Sequence, residues 1–368
     1  MQRVPILVFA LLTGLIGVSI SPGAEEPSVA TDRVDQSVHR GVDYLKSTQL
    51  DDGSWTDSKA VGISALCLHS LLVSGVEEDD PAVKKGLSYL TSHVKPDGGI
   101  YHTDSKHRNY ETCISIMALL SANRGQEDRK TIDNAVAFVK KLQWDEEEVQ
   151  ELSHPSYGGS GYGSHSRPDL SNTTFFLEAL RSAGVSASDP AVQKALIFVS
   201  RCQNRESEHN RTEFAGKVND GGFYYTPAAG GTSQAGANDD GGLRSYASMT
   251  YAGLKSMIYA GLTPDDPRVQ AAQEWIEQHY TLNENPGLDQ QGLFYYYQTF
   301  GKTLDILGED RFEDANGKTH DWRRDLATAL ISRQKANGSW TNEVERWYEG
   351  NPDLATAYSL MALAYTHE

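Results

Sequence analysis

Ser47–Trp55 reads STQLDDGSW, and Ser332–Trp340, near the other end of the chain, reads SRQKANGSW. In both stretches a Gln is followed by three residues, a Gly, one residue and a Trp. Each Gln follows a helical pattern, so it stands where the last carbonyl groups of a helix lack partners. We predict that the Gly turn returns the Trp over this helix end, and that the Gln amide bonds to backbone groups beneath the indole. The phrase is therefore interpreted as structural.

The segment that precedes the Gln recurs along the chain, and such self-similarity indicates a repeat architecture. An aromatic residue or Leu stands five residues before the Gln position, and an aliphatic residue follows it. Val94 and Tyr280 replace the Gln in two copies. The six copies are Arg40–Gln49, Lys85–Val94, Asn134–Gln143, Lys194–Gln203, Ala271–Tyr280 and Asp325–Gln334. Six repeating units are therefore predicted.

Each unit also contains a second apolar segment, such as GISALCLHSLLVSG after the first phrase. Apolar residues recur at spacings of three and four in both segments, which predicts two helices per unit. Gly75, Gly184 and Gly261 end three of the second segments, and an Asp-Pro pair begins five residues after each Gly. Gly suits the end of a helix, whereas Asp followed by Pro suits the start of the next. The unit is a helical hairpin.

The two helices of a unit differ in their surroundings. The second segments are small and apolar on all sides, as buried inner helices are, and the first segments carry charge on one face. We predict an all-α fold in which six helical hairpins form an (α/α)6 toroid over residues 25–368. An open solenoid of the same hairpins has the same periodicity.

Residues 1–24 contain Arg3 and then an apolar run, which predicts a secretory signal peptide. The alternative is a membrane anchor, which requires a longer apolar stretch. We expect a mature protein that is exported to the periplasm or beyond the cell, with no integral membrane span after cleavage.

Composition excludes several classes of partner and site. The net charge of −17 repels nucleic acid, so we expect no nucleic-acid partner. The three cysteines, Cys67, Cys113 and Cys202, are an odd number and cannot all form disulfides with one another. Each lies in an apolar helical pattern. No His/Cys spacing typical of a metal site is present, so we expect neither a metal nor a cofactor.

The repeated phrase resembles the QW repeat of squalene and oxidosqualene cyclases. The chain after the signal segment is similar to the prenyltransferase/squalene-cyclase repeat family, and its later half resembles an exported bacterial branch of that family. RGVDYLKSTQLDDGSW, from Arg40 to Trp55, matches the repeat at every position. The resemblance implies a toroid with a central cavity and places any chemistry at the starts of the inner helices.

The chemistry implied by the resemblance is not supported residue by residue. The cyclases protonate an alkene with Asp-x-Asp-Asp-Thr-Ala, but here Tyr110 takes the place of the proton donor, and only Glu111 and Thr112 match the motif. In a second inner segment, Ser171 and Asn172 replace the adjacent acids. Cyclase activity is therefore not expected.

The zinc ligands of the prenyltransferases, Asp-x-Cys and His, are replaced by Arg244, Tyr246 and Ala355. The chain is therefore not expected to be a zinc-dependent protein prenyltransferase.

Two connections, 144–170 and 204–243, are much longer than the others and are rich in Gly. Because both precede inner helices, we expect them to border one mouth of the ring; the alternative is that they are disordered. The acid–base candidates at this mouth are Glu111, Asp169 and His165. The ligand-binding candidates are Arg108, Tyr110, Arg167, Asn172, Arg244, Tyr246, Tyr296, Tyr297 and Trp347.

Three functions are consistent with these residues. The first is binding of a small hydrophobic, isoprenoid-like molecule or a glycan in the central cavity, since aromatic side chains with a few polar groups are typical of ligand sites. The second is a divergent enzyme, either cyclase-like or polysaccharide-degrading, that uses acids at the mouth. The third is a protein-interaction scaffold in the cell envelope.

Overall fold

A computed structural model describes residues 27–149, 151–163 and 166–367. The predicted signal segment and His165 lie outside these residues. The helices are α1 Pro27–Thr48, α2 Val61–Val73, α3 Pro81–Ser92, α4 Arg108–Ser121, α5 Gln126–Lys141, α6 Leu170–Ser182, α7 Pro190–Arg201, α8 Ala247–Tyr259, α9 Pro267–Gln278, α10 Leu293–Leu307, α11 Trp322–Arg333 and α12 Pro352–Leu363. A short antiparallel pair, β1 Phe312–Glu313 and β2 Thr319–His320, connects α10 to α11.

The even-numbered helices form a closed inner ring. Each contacts the next, from α2 to α12, and α12 contacts α2. The odd-numbered helices pack outside them, and α1 contacts both α11 and α12. This confirms the predicted (α/α)6 toroid and establishes the closure that periodicity could not distinguish from an open solenoid.

Burial explains which helix of a hairpin lies inside. Eleven of the twelve residues of α12 are buried, whereas only four of the twelve residues of its partner α11 are buried. A helix that is small and apolar all round can be covered on every side, but a helix with one charged face must keep that face in water. No helix of the described residues is both long and apolar enough to cross a membrane.

The helix starts predicted from Asp-Pro pairs are confirmed. The side chains of Asp80, Asp189 and Asp266 accept hydrogen bonds from backbone amides in the first turns of α3, α7 and α9, at 2.8 to 2.9 Å. Such caps satisfy amide groups that have no partner within the helix. They fix where three outer helices begin.

The Gln of the repeated phrase connects neighbouring units. Gln49 Nε2 donates to the carbonyl of Gly53 in its own turn, at 3.1 Å, and to that of Ala82 in α3, at 2.9 Å. The carbonyl at the end of α1 is instead bonded by the indole, since Trp55 Nε1 donates to Leu45 O at 2.8 Å. The predicted return of the Trp over the helix end and the predicted bonds from the Gln amide to backbone groups are confirmed. The carbonyl at the helix end is bonded by the Trp, however, and one of the Gln bonds reaches the next outer helix. Gln143, Gln203 and Gln334 make equivalent pairs of bonds.

The last copy of the phrase closes the ring. Gln334 Nε2 donates at 2.9 Å to both Ser37 O in α1 and Gly338 O. Gly338 has φ of +89°, and a Cβ atom there would lie 2.3 Å from the carbonyl oxygen of Arg40. Only Gly permits both this backbone conformation and this close approach.

Gly338→Ala should therefore destabilise the protein by more than the cost of the left-handed backbone conformation alone, because the added methyl group would also clash with the carbonyl of Arg40. Gly75→Ala is the matched control, since Gly75 has φ of +83° but no atom within 4 Å of the position that an alanine methyl group would take. We expect a loss of about 1 kcal/mol in unfolding free energy for Gly75→Ala and about 3 kcal/mol for Gly338→Ala. Urea denaturation measures both, and equal losses would show that the contact with α1 contributes nothing.

Candidate ligand-binding cavity

The first turns of the six inner helices surround a cavity of about 630 Å³. Every inner helix contributes lining residues from its start, and the cavity therefore lies where six helix N-termini converge. The helical contributors are Gly62, Ile63, Tyr110, Glu111, Ser171, Phe175, Ser248, Met249, Tyr295, Leu354 and Tyr358.

Nine aromatic residues line the cavity. Tyr110 meets Phe175 edge to face, with centroids 5.1 Å apart, and Tyr295 meets Tyr358 in the same way at 5.8 Å. The hydroxyl groups of Tyr110 and Tyr358 lie 3.5 Å apart. The aromatic lining residues are Tyr110, Tyr162, Phe175, Tyr225, Tyr246, Tyr295, Trp347, Tyr348 and Tyr358. Such walls are apolar over their ring faces and polar only at their hydroxyl groups.

Both long connections reach this cavity. Tyr162 comes from the connection 144–170, and Tyr225 and Gln234 come from the connection 204–243. Backbone bonds attach them to inner helices: Asn109 N donates to Tyr162 O, and Leu170 N donates to Tyr225 O, each at 2.9 Å. The described parts of both connections are thus held against the ring.

Glu111 lies in the first turn of α4 and is 6% exposed. Its Oε2 accepts a hydrogen bond from His102 N at 3.0 Å, and its Oε1 accepts one from Ser105 Oγ at 2.5 Å. Burial raises the pKa of Glu111 to about 7, although both hydrogen bonds favour the ionised form. The carboxyl group is consequently a weaker acid than an ordinary glutamate.

Glu349, a second acid of the lining, supports α10. Its Oε1 accepts a hydrogen bond from Tyr295 N, and its Oε2 accepts one from Asn342 Nδ2, both at 2.8 Å. It is 1% exposed, and burial raises its pKa. The side chain caps a helix that has no capping side chain of its own at Gly292.

Four of the residues selected from the sequence line the cavity together: Tyr110, Glu111, Tyr246 and Trp347. Asp169 and Asn172 lie behind the wall at the start of α6, where Asn172 N and Nδ2 donate to the carboxylate of Asp169 at 2.9 and 2.8 Å. Burial raises the pKa of Asp169 to about 6. Asp169 therefore caps α6, and the structure does not place it among the lining residues.

The other selected residues are not among the lining residues. The guanidinium of Arg108 is over the ring of Tyr101, at 4.9 Å, and Arg167 donates to Thr232 Oγ1 at 3.1 Å. Arg244 is exposed. The hydroxyls of Tyr296 and Tyr297 donate to backbone carbonyls in the connection before α10, at 2.7 and 2.6 Å. Successive residues of a helix point about 100° apart, so only Tyr295 of the three adjacent tyrosines faces the axis.

Sequence reasoning did not select several lining residues. Phe175 and Tyr358 lie one turn inside their helices, and a count of four to six residues from each helix start could have found them. Tyr162 and Tyr225 stand in loops, where no periodicity indicates direction. Tyr225 becomes a wall residue only because its loop folds back on α6.

Below the cavity, charged side chains fill the axis of the ring. Glu178 follows the lining residue Phe175 by one turn, and Lys302 follows Tyr295 by two turns. Lys255 and Lys302 both donate to the carboxylate of Glu178, which is buried. Burial alone would raise the pKa of Glu178, but the two ammonium groups lower it to about 2. The described residues contain no group of three or more potential metal ligands.

Comparison with known proteins supports the same architecture. The family model of the squalene-hopene cyclase C-terminal domain matches residues 56–227. The squalene–hopene cyclase of Bradyrhizobium diazoefficiens is 28% identical over 147 residues, which are 34% of this chain and 22% of the relative. That of Zymomonas mobilis is 27% identical over 175 residues, 47% of this chain and 25% of the relative. The alignments thus span about a quarter of these cyclases.

Two solved structures share the fold over nearly their full length. The type II terpene cyclase MstE from Scytonema has a TM-score of 0.52 at 12% identity, covering 90% of this chain and 97% of its own. A glycosidase has a TM-score of 0.54 at 12% identity, covering 93% and 99%. Taken with the six repeats and the closed ring, these similarities show that the chain has the α/α-toroid fold and that residues 56–227 are similar to the squalene-hopene cyclase C-terminal domain.

Proposed function

We propose that the protein binds an apolar, isoprenoid-like molecule in the aromatic cavity. The observation that carries this proposal is a space of about 630 Å³ with nine aromatic residues in its lining. Pockets of this size and character suit a small, largely apolar ligand. Rings fixed against one another offer such a ligand a preformed surface, since little conformational freedom is lost when it binds.

The polar groups of the cavity favour binding over alkene protonation. Both oxygens of Glu111 and both oxygens of Glu349 accept hydrogen bonds from the protein itself. Raised pKa values make both carboxyl groups weaker acids, whereas protonation of an alkene demands a strong one. Tyr110 stands where the cyclases hold their proton donor, and burial raises its pKa further above the ordinary value.

A glycan is the competing ligand, because a glycosidase shares the fold. A sugar presents hydroxyl groups on several sides, and each needs a partner when it leaves water. Nine of the lining residues are aromatic, and the two buried acids are already engaged; the charged lining residues Asp57 and Lys59 are exposed. The balance of these groups favours the apolar ligand.

We further propose that the protein is exported, since residues 1–24 have the composition of a signal peptide. Fractionation of cells that express the full chain checks this. A full-length chain confined to the cytosol would exclude export.

Filling the cavity should weaken binding. Ala60 lines the cavity at the start of α2, and Ala60→Trp places a large ring inside it. Val73→Trp, at the opposite and exposed end of the same helix, is the matched control. We expect the unchanged chain and Val73→Trp to bind geranylgeraniol in calorimetry, and Ala60→Trp to lose at least about tenfold in affinity.

The same titration distinguishes the alternatives. Binding of maltotetraose but not of geranylgeraniol by the unchanged chain would identify a glycan site. Binding of neither probe would favour the scaffold function.

Acid catalysis at Glu111 is a second candidate, and one observation favours it. With a pKa of about 7, the carboxyl group is partly protonated at neutral pH and lies at the start of an inner helix that faces the cavity. A cyclic product formed from geranylgeraniol or squalene, detected by gas chromatography and abolished by Glu111→Gln, would establish it. We expect no such product.

The raised pKa of Glu111 also predicts a pH dependence of stability. Its ordinary value is 4.5, so between pH 4.5 and about 7 the unfolded chain loses the proton that the folded chain retains. Because the unfolded chain ionises in this window while the folded chain does not, Glu111 lowers the free energy of unfolding as the pH rises. Glu111→Gln should therefore gain stability relative to the unchanged chain, by up to about 3 kcal/mol between pH 4 and pH 8. Denaturation curves that differ by a constant amount across this range would contradict the raised pKa.

A further inference from the structure

Backbone strain is concentrated at the opening of the cavity. Trp347 and Tyr348 have φ of +56° and +66°, the left-handed region that large side chains rarely adopt. Thr56, with φ of +71°, is β-branched and also lines the cavity. In the described residues, Trp347 and Tyr348 are the only adjacent pair of non-Gly residues in this region. Such strain persists only where surrounding contacts impose it, and it often marks a segment that moves or binds.

The segment that carries this pair, 345–350, has a fixed base. Glu349 is 1% exposed and is bonded through its side chain to Tyr295 N and Asn342 Nδ2. Its carbonyl also accepts a hydrogen bond from Asn342 N at 2.8 Å. The base is thus attached to the start of α10 and cannot shift without breaking buried bonds.

One side chain, that of Arg346, bonds the tip of the segment to two other segments of the chain. Arg346 Nη1 donates to Gln291 Oε1, and Nη2 donates to Gln234 Oε1. The same guanidinium lies 4.3 Å from the centroid of the Trp347 ring. Gln234 belongs to the connection 204–243, and Gln291 belongs to the loop before α10. Arg346 therefore joins three separate segments around the opening through bonds that are accessible to water.

The two strained aromatic residues are the exposed part of the cavity wall. Trp347 is 42% exposed and Tyr348 is 74% exposed, although both line the cavity. The Trp347 ring lies directly against the start of α10, since a Cβ atom on Gly292 would lie 3.1 Å from it. One face of the ring thus forms cavity wall while another meets solvent, which is the position of a side chain that bounds an entrance.

We infer that segment 345–350 is a gate to the cavity, with Arg346 as its latch and Trp347 as the side chain that limits which molecules enter. The inference rests on the proposed binding function. When Arg346 releases Gln234 and Gln291, the strained pair can relax to an ordinary backbone conformation, and the ring moves away from the opening. The closed position is kept by the latch, and the strain favours opening once the latch is released.

Arg346→Met tests the latch, because methionine keeps an apolar stem but cannot donate either hydrogen bond. Arg324→Met, on the exposed face of α11, is the matched control. Hydrogen exchange read by mass spectrometry needs no ligand. We expect amides of 345–350 to exchange at least about tenfold faster in Arg346→Met, with no change around Asn342 or in the control.

Association of geranylgeraniol, followed by stopped flow, tests the entrance. Arg346→Met should raise both the association and dissociation rate constants about tenfold and leave affinity little changed, since a gate alters rates in both directions. Trp347→Gly keeps the left-handed conformation without strain and removes the ring. It should speed association without speeding exchange, and it provides a second variant if Arg346→Met folds poorly.

Exchange that is unchanged in Arg346→Met would overturn the gate. Faster exchange with unchanged rate constants would overturn it as well, because the ligand would then enter elsewhere. Faster exchange in a protein that binds no geranylgeraniol would contradict the proposed function and still support the movable segment.

Discussion

The contact on which the structure depends is the one between each Gln–Gly turn and the next outer helix. In the last unit, the amide of Gln334 binds Ser37 O, and Gly338 approaches the carbonyl of Arg40 too closely for any side chain. These contacts join residues almost 300 positions apart and convert a row of hairpins into a ring. Closure brings the starts of all six inner helices to one place, and the cavity exists because of it.

Convergence of six helix N-termini creates many backbone amides that need partners. Acidic side chains are the partners of two of these amides, since Asp169 caps α6 and Glu349 caps α10. Glu111, in the first turn of α4, binds the preceding loop instead. These three buried acids are therefore bonded to the protein, and burial raises their pKa values. The sequence places several acids near the cavity, as a catalytic site would. Their hydrogen bonds show that they hold helices and loops in place beside the aromatic residues of the lining.

The opposite half of the ring axis is filled differently. Glu178 with Lys255 and Lys302 forms a buried ion cluster that lies one to two turns below the cavity lining. The two lysines stand in the second halves of α8 and α10. The cavity is thus confined to the N-terminal half of the inner helices. Because the ion cluster lies below it, a ligand has to enter from the side of the strained segment 345–350.

The sequence by itself determined the repeat, the number of hairpins, the helix starts at Asp-Pro pairs and which helix of each hairpin lies inside, because each depends on residues close together in the chain. It also indicated the region of the cavity, since Tyr110, Glu111, Tyr246 and Trp347 stand at predicted helix starts or beside them. Only the tertiary structure decided that the ring closes and that Tyr295, rather than Tyr296 or Tyr297, faces the axis. It likewise decided that the oxygens of Glu111 are bonded to His102 and Ser105, and that Arg346 reaches Gln234, 112 residues away. These features depend on where distant segments meet, and local periodicity specifies the direction of a helix face but not the side chain or backbone group that will lie opposite it.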